Sequence, residues 1–118
     1  VPSPILVAST DHDRRVLVMT VEGALLEAEH TRVLREALPV LPTGYGLIVD
    51  LTGPGSDAPA ALEGLRALAR DAVVSGQTLV FVCADLDRRS GLVLADLDSL
   101  VPVVAALEHA IPLAHRAA

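Results

Sequence analysis

Leu47 to Leu65 reads LIVDLTGPGSDAPAALEGL, and the fold turns on how its three parts join. Gly46 to Leu51 is a continuous apolar run, the pattern of a strand covered on both faces. Gly53-Pro54-Gly55-Ser56-Asp57 is a loop. From about Ala58 to Val74, Leu62, Leu65, Leu68, Ala69, Ala72 and Val73 recur at helical spacing and form the expected buried stripe. Strand, glycine loop and helix in that order is the layout of a phosphate cradle, and equally of a loop that docks a partner protein.

The phosphate reading fails on chemistry. Gly53 to Ala58 satisfies G-x-G-x-x-G/A, which works by turning loop and helix N–H groups toward a pyrophosphate. Pro54 and Pro59 remove two of those donors, and Asp57 sets a carboxylate where the anion would sit. The chain is also too short for the two-halved dinucleotide fold, and no Gly-Lys-Ser/Thr follows. A capped helix start accounts better for the local sequence: Ser56 or Asp57 accepts from the first free N–H groups, with Pro59 pre-set for the first turn.

Upstream, Ile5–Ser9 and Arg15–Glu22 read as a hairpin closed by the polar turn Asp11 to Arg14. Glu27 to Leu38 carries Val33, Leu34, Ala37 and Leu38 at helical spacing, with Glu29 and Arg32 placed for a weak surface pair. Pro39 and Pro42 stop that helix. Downstream, Thr78–Cys83 reads as another strand covered on both faces. A helix follows over Asp87–Ala95, weakened by about 1 kcal/mol at Gly91. Val101–Val104 suits an edge strand because of Pro102, and Ala105–Leu113 is a final helix. The order ββαβαβαβα implies an α/β domain with a mixed sheet, since parallel neighbours need helical crossovers.

At 118 residues the chain is one domain, 1–118, able to fold on a single core. Its hydrophobic fraction of 52% is almost wholly aliphatic, with Phe81 and Tyr45 the only aromatics, so base stacking has little to work with. A net charge of −6 argues against nucleic acid and anionic membrane as partners. All nine basic residues are Arg, which removes lysine chemistry. Cys83 stands alone, so no intrachain disulfide and no Cys-based zinc cluster can form; its setting, LVFVCAD, is that of a buried small hydrophobe. No apolar span of about 18 residues reads as a transmembrane helix, and the N-terminus lacks a signal layout. The missing initiator Met suggests a trimmed chain or a piece of a longer one. The expectation is a cytoplasmic domain.

No catalytic constellation emerges, so the reading is non-enzymatic, with no cofactor and no metal. Asp11-His12-Asp13 are adjacent and cannot all converge on one ion; they read as a solvated turn. Asp85, Asp87, Asp96 and Asp98 read as helix caps or a solvated face. His30 and His109 read as structural residues within helices. On the second helix Ala60, Gly64, Ala67 and Val74 lie away from the apolar stripe, and such small residues would let another backbone approach.

The order of elements and several motifs resemble STAS domains, the anti-sigma-factor antagonist family. VEGALLEAEHTRVLREAL, Val21 to Leu38, resembles that family's glycine-to-REAL segment, and LIVDLTG resembles its third strand. Leu79 to Ile111 resembles its closing strand–helix–strand–helix stretch, including the step from Leu97 to Val103. The resemblance implies a four- to five-stranded mixed sheet with about four helices mainly on one side. It also implies partner switching in transcriptional stress or developmental regulation: the antagonist binds an anti-sigma-factor kinase and is released by phosphorylation at the start of the second helix, where the phosphate adds negative charge.

Aligned without gaps on Asp50 to Gly53 and Leu62, the family's D-S-x-G motif falls on Ala58, Pro59, Ala60 and Ala61. Pro59 stands where the acceptor Ser should be, and Ser56, three residues earlier, is the nearest hydroxyl and the substitute that a register shift would supply. The expectation is an interaction module that docks an anti-sigma-factor-like kinase through Gly53, Gly55, Ser56, Asp57, Pro59, Ala60, Gly64 and Ala67, without the family's phosphorylation switch. The alternative is a small-ligand-sensing STAS domain of a larger regulatory protein. Either leaves room for a homodimer.

Overall fold

The computed structural model describes residues 5–53 and 55–114. Two strands, β1 (Ile5–Asp11) and β2 (Val16–Glu22), form the expected hairpin. They are followed by α1 (Glu29–Ala37), β3 (Gly46–Thr52), α2 (Pro59–Ser75), β4 (Leu79–Cys83), α3 (Leu86–Leu94), β5 (Val103–Val104) and α4 (Leu107–Ala114). The sheet has five strands in the order β1-β2-β3-β4-β5. β1 and β2 are antiparallel, and every later pair is parallel.

Strand alternation divides the core into two layers. Leu47, Val49 and Leu51 of β3 join Leu79, Phe81 and Cys83 of β4 under α1, α2 and α3. Ile48, Val80 and Val82 face the other way, against Ala110 and Ala114 of α4. Three helices therefore cover one face and one covers part of the other. This double cover is why β3 and β4 read as unbroken apolar runs. Gly46 is required where β3 passes beneath α4: a Cβ there would sit 2.5 Å from the Ala114 carbonyl oxygen.

Most element ends lie within one or two residues of the sequence reading, and the last strand and the buried stripe of α2 differ for a physical reason. The last strand is Val103–Val104 rather than Val101–Val104, because Val101 turns into the core and Pro102 contributes only its carbonyl, to the Phe81 N–H at 3.0 Å. The buried stripe of α2 runs Ala61, Leu65, Leu68, Ala69, Ala72, one step round the helix from expectation. Leu62 is only half-buried, and Val73 is 55% exposed. α2 ends at Gly76, whose φ of 72° is the left-handed cap that lets its N–H reach back to Ala72 and Val73.

Candidate docking site

β2 and β3 run parallel and end level, Glu22 beside Thr52, so the loops that follow them emerge side by side. Gly23 and Gly53 reverse the chain there with φ of 103° and 84°, conformations that cost a residue with a Cβ about 1 kcal/mol or more. A Cβ on Gly55 would lie 3.2 Å from the Ala24 Cβ, so the two loops touch. The Ala58 N–H donates to the Leu25 carbonyl at 2.8 Å and ties them together.

Asp57 corrects the expectation of a side-chain cap. The N-cap of α2 is Ala58, with no side-chain hydrogen bond to the helix, and Pro59 opens the first turn. Asp57 turns inward instead. Its Oδ1 accepts from the Leu25 N–H at 2.8 Å and from Arg88 Nη2 at 2.8 Å; its Oδ2 accepts from Arg88 Nε at 3.0 Å. The same guanidinium donates to the carbonyls of Thr52 and Gly23, both at 3.0 Å. The side chains of Arg88 and Asp57 are 0% and 2% exposed. Such a pair is viable without water only because the fork geometry is bidentate and the remaining N–H groups find carbonyls.

Arg88 is aimed by its own helix. Asp85 caps α3 by accepting the Arg88 N–H at 2.9 Å, and Arg88 shares the buried side of α3 with Leu92. One side chain thus joins the ends of β2 and β3, the loop before α2 and the start of α3. Cys83 lies at the edge of this cluster. Its thiol donates to the Asp85 carbonyl at 3.6 Å, and burial pushes its pKa upward against the opposing influence of Arg88.

The loop after β3 presents little charge. Gly53, Gly55, Ser56, Pro59 and Ala60 are all exposed, and the one carboxylate in that run is buried and paired. Two exposed aliphatic side chains stand on the segments tied to it: Leu26, next to Leu25, is 38% exposed and Leu86, at the head of α3, is 65% exposed. His30 steadies the first of these segments, its Nδ1 accepting the Leu26 and Glu27 N–H groups at 3.2 and 3.3 Å.

Gly64 and Ala67 lie elsewhere along α2. Ala67 is half-buried. Gly64 is small for an internal reason: a Cβ there would lie 2.8 Å from the Thr31 Cβ and collide with the Thr31 hydroxyl oxygen. α1, through Thr31, already occupies the space that an incoming backbone was expected to take. Beside that crossing, a surface groove of about 520 Å³ is ringed by Arg32, Arg35, Glu36 and Asp71. Those charges are mutually engaged, Arg32 with Glu29 and Glu36 and Arg35 with Asp71 at 3.1 Å.

Arg88 was absent from the sequence-derived candidates. A charge four residues before Leu92, on the buried stripe of its helix, is the signal that marks it. Of the other candidates, Asp11 accepts the Arg14 N–H at 3.0 Å within the hairpin turn, and His12 Nδ1 meets the Tyr45 hydroxyl at 2.7 Å. Pro54 lies outside the described residues.

By sequence the chain matches no protein-family model and no curated protein. By structure it is similar to a Thermotoga maritima protein described as a candidate anti-sigma factor antagonist, with a TM-score of 0.74 at 15% identity, covering 94% of this chain and 95% of that one. It is also similar to a Ser-to-Glu variant of RsbS from Moorella thermoacetica, with a TM-score of 0.68 at 17% identity over 87% and 88% of the two chains. An anti-sigma-factor antagonist (STAS) domain protein from Planctomyces limnophilus gives 0.73 at 13% identity over 91% and 95%. At identities this low the likeness is one of fold: the chain has the same mixed-sheet α/β architecture as these STAS proteins.

Proposed function

We propose that this chain is a non-enzymatic docking module of the anti-sigma-factor antagonist type, whose partner is an anti-sigma-factor-like serine kinase. The partner seats on Gly53, Gly55, Ser56, Pro59 and Ala60, with Leu26 and Leu86 as its apolar flanks. Binding is constitutive with respect to phosphorylation at the helix start. The observation that carries this reading is the buried Arg88–Asp57 pair, which fixes both loops from beneath while no residue from Ala58 to Ala61 has a hydroxyl. A surface held in one shape loses little entropy on docking, and a helix start without an acceptor cannot be given the charge that would repel a partner.

The test uses the source cell's anti-sigma-factor-like kinases, purified one by one. At least one should bind in calorimetry with equal affinity in the presence of ADP and of ATP, leaving no phosphate on residues 56–61. Gly55→Arg should weaken that binding at least tenfold. Stoichiometric phosphate on this segment, or unchanged binding by the variant, would overturn the reading.

A further inference from the structure

We infer that the partner of this docking site meets it with a cationic face, arginine or lysine side chains ringing an apolar centre. The inference rests on the reading above and names the chemistry of that site's occupant. β2, β3, β4 and β5 are parallel, so the loops that leave them all open at one end of the sheet. Three exposed carboxylates stand at that end, each next to a residue held by the Arg88–Asp57 cluster or one place removed. Glu22 precedes Gly23, whose carbonyl accepts from Arg88. Glu27 lies two positions after Leu25, whose N–H donates to Asp57. Asp87 precedes Arg88 in the first turn of α3.

No arginine among the described residues forms an ion pair with any of the three. The cations of this end are engaged elsewhere. Arg88 is buried against Asp57, Arg32 binds Glu29 and Glu36, and Arg66 lies 3.6 Å from Glu63. Arg89 is half-buried and donates to the Cys83 carbonyl at 3.4 Å. The opposite end is mixed in sign. Its hairpin turn sets Asp11 and Asp13 beside Arg14 and Arg15, and Arg35 bonds Asp71 at 3.1 Å. Asp98 belongs to that end too, since Leu100, just after it, lines a groove with Gly76 and Thr78 ahead of β4.

An uncharged centre inside a rim of one sign selects its partner by charge. Gly53, Gly55, Ser56, Pro59 and Ala60 carry none, while Leu26 and Leu86 expose aliphatic surface on the adjoining segments. An acidic partner would be repelled by Glu22, Glu27 and Asp87, which argues against a second copy of this −6 chain at the site. Nucleic acid is disfavoured on the same ground. A protein face with cationic side chains gains at each carboxylate. Rim charges act mainly on encounter, so the association rate and its salt dependence carry the signal.

A tetra-arginine peptide titrated at low salt into the isotope-labelled chain should shift the amide resonances of Gly23, Gly53 and Leu86 and spare the hairpin turn. Added salt should abolish the shifts. The double variant Glu27→Lys, Asp87→Lys should lose them with unchanged circular dichroism, and Glu27→Gln, Asp87→Asn should weaken them. Asp13→Lys, Asp98→Lys makes the same charge change at exposed positions of the far end and should keep them. With a kinase that binds, Glu27→Lys, Asp87→Lys should slow association about tenfold or more in stopped flow, leaving dissociation unchanged; the far-end variant should do neither. Peptide shifts spread over both ends, or a rim variant that matches the far-end variant with peptide or kinase, would overturn the inference. Failure of every kinase to bind would instead overturn the docking reading, and the peptide titration would still decide whether this end selects cations.

Discussion

Arg88 reaches from the first turn of α3 to both carboxylate oxygens of Asp57, at 3.0 and 2.8 Å, with neither side chain accessible to water. Thirty-one positions separate them in the sequence, and between them they hold the ends of β2 and β3. Removing one partner strands the other as an uncompensated buried charge. Arg88→Met or Asp57→Leu alone should each lower stability by about 3–5 kcal/mol, while the double substitution loses clearly less than the sum. Urea unfolding of the four proteins measures the coupling.

Gly64 is a second point where size decides the outcome. In an isolated helix Gly to Ala gains about 1 kcal/mol. Here the added methyl meets Thr31, so Gly64→Ala should instead lose about 1–3 kcal/mol through overpacking. Adding Thr31→Ala to the same chain should restore part of that loss in thermal unfolding.

Asp50 sits half-buried on β3 between Thr20 and Val82, and desolvation raises its pKa above 3.8. The native state therefore holds its proton to higher pH than the unfolded chain, so this group's contribution to stability falls as pH rises through that interval and stays low above it. Asp50→Asn should raise the melting temperature at about pH 7, with the gain shrinking as pH falls toward about 3. A gain of equal size at both ends would exclude this origin.

Cys83 is 0% exposed and its thiol is held neutral by burial. Since the thiolate is the reactive form, a soluble disulfide reagent at about pH 8 should label the native protein only at the rate of global opening. Arg88→Met loosens the cluster and makes opening more frequent, so it should speed that labelling even though loss of the guanidinium disfavours the thiolate in the closed state.

Much of the architecture is legible in residue order. The aliphatic runs at Leu47–Leu51 and Leu79–Cys83 can only be strands covered on both faces, and Pro39, Gly76 and Pro102 punctuate the elements where the structure ends or starts them. Local rules went astray where a distant residue supplied a stronger partner. Asp57 stands where a cap is expected, yet a guanidinium and the Leu25 amide both outbid helix N–H groups. Gly64 looks like an open approach for a second chain, yet Thr31 of α1 fills it.

The sequence by itself determined the order of strands and helices, the absence of a hydroxyl at the start of α2 and the uncharged run from Ile5 to Thr10, because periodicity, turn chemistry and composition are properties of neighbours along the chain. Tertiary structure alone decided that Asp57 faces inward, that Arg88 is its counter-ion and that the two loops lie side by side. Burying a charge is tolerable only when its partners converge in space, and no local pattern records which distant residues will meet.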